Sequence, residues 1–501
     1  MRSLIPCLLS PILCTSIALA QQPAAPARRP TTQSSASPRE VLARAVAAMG
    51  GEQALRGVRT VTTQAYATNF ALGQEETPLS PARPTVTTST ILADYAGARR
   101  LTTAETRNVA GQTQRLRRVM VGDIGMTENT QGALAPDGPG AVRNEQASLR
   151  RTVPALILAA LDKQEAVTRL PPKAWRGETM DGVRYRSGPD SLDMYFDRRN
   201  GLLTVAEVTS DDPILGDRRA VTWLTRWQPA AGVLFPRQVD TEVNGRLQSN
   251  TVITSVTVNA DAPDSLFAIP DSIKSRAQPG STPVPAPTVT MVELGNGVWR
   301  AEGQTHHSLV VDQGTSLIVI EAPLSSARFQ AVLDTLKGRF PNKPVSLVVN
   351  THHHWDHSSG LRVALAAGIP ILTHQRNESF VRGIAAAKKT VSPDAQSRAP
   401  KAPTVRTMGD STIIGSGAGQ ILLLRIPTVH VEGLLAAYVP SAKVLFTSDA
   451  LNPGQTLAPA GSAELVTFAK AHGLAVERYA GGHGQAVAWA DVERAAATPT
   501  P

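Results

Sequence analysis

One short stretch constrains this chain more than any other: Thr351-His352-His353-His354-Trp355-Asp356-His357, directly after the apolar run 345–350. It places imidazoles at 352, 354 and 357 and a carboxylate at 356 in one tight loop. Neutral imidazole and carboxylate are the donors that a borderline cation such as Zn²⁺ takes, at about 2.0–2.2 Å. One short loop cannot fill a tetrahedral shell, so further donors must arrive from elsewhere. They stand at matching places: His430 after an expected strand at 421–426, Asp449 after one at 444–447, and His483 after one at 475–479. Loops beyond the carboxyl ends of strands converge at one edge of a sheet. The second half of the chain must therefore bring several strand ends together.

Seven donors are enough for two ions. His352, His354 and His430 are expected to hold the first, and Asp356, His357 and His483 the second, with Asp449 bridging both. A purely structural site closes with four ligands, which favours chemistry over a structural metal module attached to a lipid or lipoprotein carrier. Asp356 is the expected catalytic residue, orienting a water-derived nucleophile and relaying its proton. His307 is a candidate substrate contact, and Glu432, two residues after His430, a candidate support for it.

All ten histidines lie at or after His306, so two halves with different work are expected. Hydrophobic residues make up 42 % of 501 and charged residues 18 %, which excludes a disordered chain. No internal run of about 18 apolar residues exists, so no transmembrane segment is expected once the leader is removed. The net charge is +9, but only +3 over residues 289–501, without a Lys/Arg cluster, so a nucleic-acid partner is not expected.

Residues 1–20 read as a signal peptide: a basic start, an apolar 4–19, and Ala18-Leu19-Ala20 for cleavage. Both cysteines, Cys7 and Cys14, fall inside it, so the mature chain has no thiol ligand and no disulfide. A periplasmic or secreted location follows. Residues 21–36 read as a flexible spacer. A helix then starts at Pro38, with Ser37 as N-cap and Glu40 three residues on, and stops at Gly50-Gly51. Residues 37–271 alternate as an antiparallel β-rich domain, with Asn200-Gly201 and Asn244-Gly245 at turns, one helix at 153–161, and Trp223 and Trp227 on one strand face. Residues 272–288 form a Pro-rich linker, and 289–492 a mixed α/β domain followed by a tail at 493–501. Residues 289–501 are expected to be separable.

The pattern His352-x-His354-x-Asp356-His357, with His430, Asp449 and His483, resembles the metallo-β-lactamase-fold hydrolase superfamily. That resemblance implies an αββα sandwich carrying a one- or two-zinc site. It also implies a zinc-dependent hydrolase of an ester, lactone, thioester or amide-type bond in a small molecule. β-Lactamase and phosphodiesterase activity are the alternatives within the fold. An aspartate at 449 is similar to glyoxalase II, lactonase and phosphodiesterase relatives rather than to most lactamases, and Glu321 stands where many members carry Asp. More diffusely, residues 39–273 resemble periplasmic lipoprotein-carrier-like domains. This implies an incomplete barrel, a curved antiparallel sheet with helices, whose concave face takes a lipid or acyl ligand.

Overall fold

A computed structural model describes residues 36–498 apart from 110, 176, 188, 189 and 455. The expected signal peptide, with Cys7 and Cys14, and all but Ala36 of the spacer lie outside these residues. The described residues from 36 to 498 cluster as one compact unit. No helix among the described residues is long and apolar enough to cross a membrane.

The first helix, Pro38–Ala48, begins as its sequence dictates. Ser37 Oγ accepts from Glu40 N at 3.3 Å, while Glu40 Oε2 accepts from Ser37 N at 2.6 Å. It stops at Gly50, whose φ of +122° and contact with Gly232 leave no room for a Cβ. Its buried face, Val41, Leu42, Ala45 and Val46, packs with Leu156, Ile157 and Ala160 of the helix Val153–Asp162 onto Val183, Met194 and Phe196 of a sheet. The Val, Leu, Ile, Met and Phe side chains removed from water here each contribute roughly 1.5–3 kcal/mol.

That sheet has thirteen antiparallel strands and does not close into a barrel. Its two halves join where Thr60–Ala71 pairs with Arg246–Val258. Thr60–Ala71 also forms a long hairpin with Arg83–Asp94, in register from Thr60↔Asp94 to Ala71↔Arg83, so residues 72–82 cap its end.

The alternating run 233–243 divides into Val233–Phe235 and Gln238–Val243, because Pro236 lacks the N–H a ladder needs. Two expectations need correction here. The strand carrying Trp223 ends at Thr225, and Arg226 turns with φ +55°. Trp223 consequently packs with Tyr195 and Val205, while Trp227 joins the helix-side core. The helix Pro139–Arg150 is an addition to the helices expected in this half, because Pro139-Gly140 at its start has the composition of a turn.

Residues 289–498 form two sheets between helices. A seven-stranded sheet runs in chain order from Thr290–Gly295 to Val405–Met408, and a six-stranded sheet from Ser411–Ile414 to Val487–Ala488. Side-chain alternation builds the layers. Ile318 and Ile320 meet Leu423, Leu435 and Phe446 between the sheets. Leu317 and Val319 pack outward on Phe329, Val332 and Leu336 of the helix Ser326–Arg339. On the other side Leu445 and Tyr479 pack on Leu465 and Phe468 of Pro459–Ala471. Strands buried on both faces read as unbroken apolar runs, as 317–320 and 345–350 do. Leu317–Ile320, Val345–Asn350 and Ile371–His374 are parallel, as are Val444–Phe446 and Arg478–Ala480. Their carboxyl ends deliver Glu321, the 351–357 loop, Asp449 and His483.

The Pro-rich segment begins with the helical turn Asp271–Lys274 and then has no regular structure. It is fixed to the first sheet: Gly280 N donates to Asp123 O at 2.9 Å, and Ser281 Oγ to Asp123 Oδ2 at 2.8 Å.

Candidate metal centre

Two groups of donors assemble where the strand ends meet. His352, His354, His430 and Asp449 form one, and His306, Asp356, His357 and His483 the other, each with donor atoms within 4.8 Å of one another. Asp449 joins them. Its Oδ2 lies 3.0 Å from His357 Nε2 and 3.2 Å from His430 Nε2, and its Oδ1 lies 3.2 Å from His483 Nε2. All seven sequence-derived donors are therefore together, with Asp449 between the two sets.

The chain orients each ring from behind. His357 Nδ1 donates to Glu321 Oε2 at 3.0 Å, which turns Nε2 inward. Thr351 Oγ1 donates to Glu321 Oε1 at 2.6 Å and so accepts from His352 Nδ1 at 3.0 Å, which turns His352 Nε2 inward. His354 is reversed: its Nε2 donates to Glu75 O at 2.9 Å, leaving Nδ1 to face the group. These partners fix the tautomers. Glu321 is fully buried and also accepts from Ser448 Oγ, so one carboxylate supports a donor in each group.

Electrostatics follow from burial and neighbours. Burial, with the neighbouring His357 and His354 rings, pushes His352 well below its ordinary range, and burial takes His354 down to about 3. Both are thereby in the neutral form that ligates. At His357 burial also disfavours charge, but Glu321 and Asp449 outweigh it and hold the proton. Burial raises the Asp449 carboxyl, yet His357, His430 and His483 override it and hold it far below the carboxylate range. Asp356 behaves likewise under His306, His357 and Gln74.

This donor set fits a metal. The inward nitrogens His352 Nε2 and His354 Nδ1 are buried without a hydrogen-bond partner, while His357 Nε2 and His430 Nε2 face the Asp449 carboxylate. Unmatched buried polar atoms each cost about 1–3 kcal/mol, which a shared cation relieves.

The remaining histidines divide by place. His306, to which the sequence pattern assigns no role, sits in the second group, its Nε2 3.3 Å from Asp356 Oδ2 and its ring 3.8 Å from that of His483. His307, the expected substrate contact, instead turns its Nε2 to Gly484 O at 3.1 Å, and burial beside Arg300 takes it down to about 4. Adjacent residues entering a strand point to opposite sides, and Ser308–Asp312 begins at once, so only one of the pair can face the donors. Glu432 pairs with Arg376 at 2.8 Å and does not support His430. His353 packs against Phe380 beside a cavity of about 280 Å³. His374 Nδ1 accepts from Arg376 N, and His472 packs on Phe468.

Residues missed altogether come from the first half. Gln74 Nε2 donates to Asp356 Oδ1 at 2.8 Å, and Glu75 O takes the His354 proton. No spacing in the sequence marks them, because they reach the centre only through the length and register of the hairpin.

Residues 301–490 match the sequence model of the metallo-beta-lactamase superfamily. The alpha subunit of 2,4-dinitroanisole O-demethylase from Nocardioides sp. (strain JS1661) is 26 % identical over 182 residues, which cover 35 % of this chain. They cover 52 % of that protein, so the chain spans about half the length of the curated relative it matches. Similar solved structures include a metallo-beta-lactamase from Pontibacter korlensis, with 16 % identity and a TM-score of 0.33, covering 41 % of this chain and 96 % of that one. Another, from Hirschia baltica, has 16 % identity and a TM-score of 0.33, covering 42 % and 96 %. FIM-1 from Pseudomonas aeruginosa, in its mono-zinc form, has 14 % identity and a TM-score of 0.33, covering 42 % and 93 %. With the converging donors, the family match identifies residues 301–490 as a metallo-beta-lactamase superfamily domain.

Proposed function

We propose that this chain is an exported hydrolase that holds two zinc ions and cleaves an ester-, lactone-, thioester- or amide-type bond of a small molecule. The observation that carries it is the pair of four-residue donor groups joined through Asp449, with His352 Nε2 and His354 Nδ1 buried and without a hydrogen-bond partner. Nitrogen and carboxylate donors without thiolate suit Zn²⁺. Zinc at such a centre makes hydroxide available at neutral pH, by lowering the pKa of water from about 15.7 towards ~7, and polarises the oxygen of the electrophile.

The chain's residues supply orientation and proton handling. Asp356 Oδ1 is pinned by Gln74, which leaves Oδ2 turned towards His306 and His357. That oxygen is placed to hold the nucleophile, take its proton and return it to the leaving group. Glu321 keeps His352 and His357 in the metal-binding tautomer throughout. Export is supported by the apolar 4–19 with its Ala18-x-Ala20 end.

The test is a panel of ester, lactone, thioester, amide, β-lactam and phosphodiester substrates, run on purified full-length protein with zinc and with chelator. The reading requires chelator-sensitive turnover of a carbonyl class that Asp356→Asn lowers by about 10²–10⁴-fold. Turnover confined to phosphodiesters would overturn the assigned bond class, and chelator-resistant turnover would overturn the metal mechanism.

A further inference from the structure

Residues 72–83, at the far end of the hairpin Thr60–Ala71/Arg83–Asp94, lie against the donor groups rather than apart from them. Four contacts connect them to the 351–357 loop and its neighbours. Gly73 O accepts from Trp355 N at 3.2 Å, and Glu76 O accepts from Glu432 N at 2.8 Å. Gln74 Nε2 donates to Asp356 Oδ1, and His354 Nε2 donates to Glu75 O. Arg83 closes the far side, its Nη2 donating to Val429 O and His430 O, each at 2.8 Å. Three of the seven donor residues, Asp356, His354 and His430, are thus touched from the first half of the chain.

The segment is built to stay in place. Glu75 is 2 % exposed, and its carboxylate accepts from Gly73 N at 2.8 Å and pairs with Arg246 of the neighbouring strand. Gly73 has φ +83°, and a Cβ there would stand 2.2 Å from Trp355 Cδ2. Only glycine lets the backbone approach this close to the indole that precedes Asp356.

We propose that residues 72–83 are a wall of the metal centre, with Gln74 a positioning residue for Asp356 and the Glu75 carbonyl selecting the metal-binding tautomer of His354. The first half of the chain then completes the centre instead of only capturing substrate. This rests on the two-metal reading above. The two contacts act on different donor groups, Gln74 on the second and Glu75 on the first, so they are separable by experiment.

The test compares full-length wild type, Gln74→Leu and Arg246→Ala by zinc titration against a chromophoric chelator and by the visible spectrum of the Co²⁺-substituted protein. Loss of a group that orients a ligand typically costs about 10–100-fold in metal affinity. Gln74→Leu keeps the size of the side chain and should weaken the second ion by that factor, leaving the first ion and the melting temperature unchanged. Arg246→Ala leaves the Glu75 carboxylate without its cation, displaces the carbonyl from His354, and should weaken the first ion. Its melting curve reports whether it has folded. Two ions at wild-type affinity in Gln74→Leu, with an unchanged Co²⁺ spectrum, would overturn this proposal alone. No metal bound by the wild type would overturn the two-metal reading and this proposal with it.

Discussion

Glu321→Gln separates the stability of the centre from its ability to bind metal. Glu321 is fully buried and accepts three bonds: from Thr351 Oγ1, Ser448 Oγ and His357 Nδ1. Exchanging charge-assisted for neutral bonds costs about 1 kcal/mol each, or roughly 3 kcal/mol in all. Glu321 also faces the proton it helps to hold on buried His357, so removing its charge breaks a buried pair and folding stability should fall by about 3–5 kcal/mol. Metal affinity falls for a separate reason. If the amide carbonyl faces His357, its NH₂ meets Thr351, whose hydroxyl proton then turns to His352 Nδ1 and places the His352 proton on Nε2. If the NH₂ faces His357 instead, that ring takes the wrong tautomer. Either orientation spoils one donor group, at about 10–100-fold in affinity, or about 1.4–2.7 kcal/mol. Chelator competition gives the affinities, and urea unfolding of the metal-free protein gives the stability. A folded Glu321→Gln protein that binds both ions at wild-type affinity would refute the tautomer argument.

Other outcomes follow from the same contacts. Asp449→Ala should lower bound zinc from two towards one per chain, measured by elemental analysis, because Asp449 contacts both groups. Burial pushes the Asp181 carboxyl up, but Arg169, Arg44 and Arg198 outweigh it and hold it at about 2. A depressed carboxyl stabilises the fold above its unfolded pKa, so about 2 kcal/mol should be lost as pH falls from about 4 to 2. Urea midpoints of Asp181→Asn should lack that step. Arg362 is 2 % exposed and forks onto Asp394 while donating to Ile384 O at 2.6 Å. Arg362→Ala should cost about 3–5 kcal/mol in a denaturation curve.

The centre was legible in the sequence because a metal needs donor types that appear nowhere else at such density. His352, His354, Asp356 and His357 share one loop, and His430, Asp449 and His483 each follow an apolar run. The supports were not legible, since a supporting group can be any acceptor that the fold delivers. Glu321 is a single carboxylate after a strand, and Glu75 acts through its backbone oxygen, which no residue type encodes. The choice between His306 and His307 turned on which residue faces inward, and a one-residue difference in phase reverses that. The same sensitivity put Trp227 on the wrong face once Arg226 turned the chain. In the first half, the capping box at Ser37 and the Asn-Gly turns were local signals. The joining of two meanders into one thirteen-stranded sheet through Thr60–Ala71 and Arg246–Val258 is a contact between residues about 190 apart, beyond any local pattern.

The central claim is that two donor groups, joined by Asp449, hold two ions. Elemental analysis of the full-length protein, purified, supplied with excess zinc and freed of unbound metal, tests it most directly. The account predicts close to two zinc ions per chain, falling towards one in Asp449→Ala. A wild-type value of zero would contradict it.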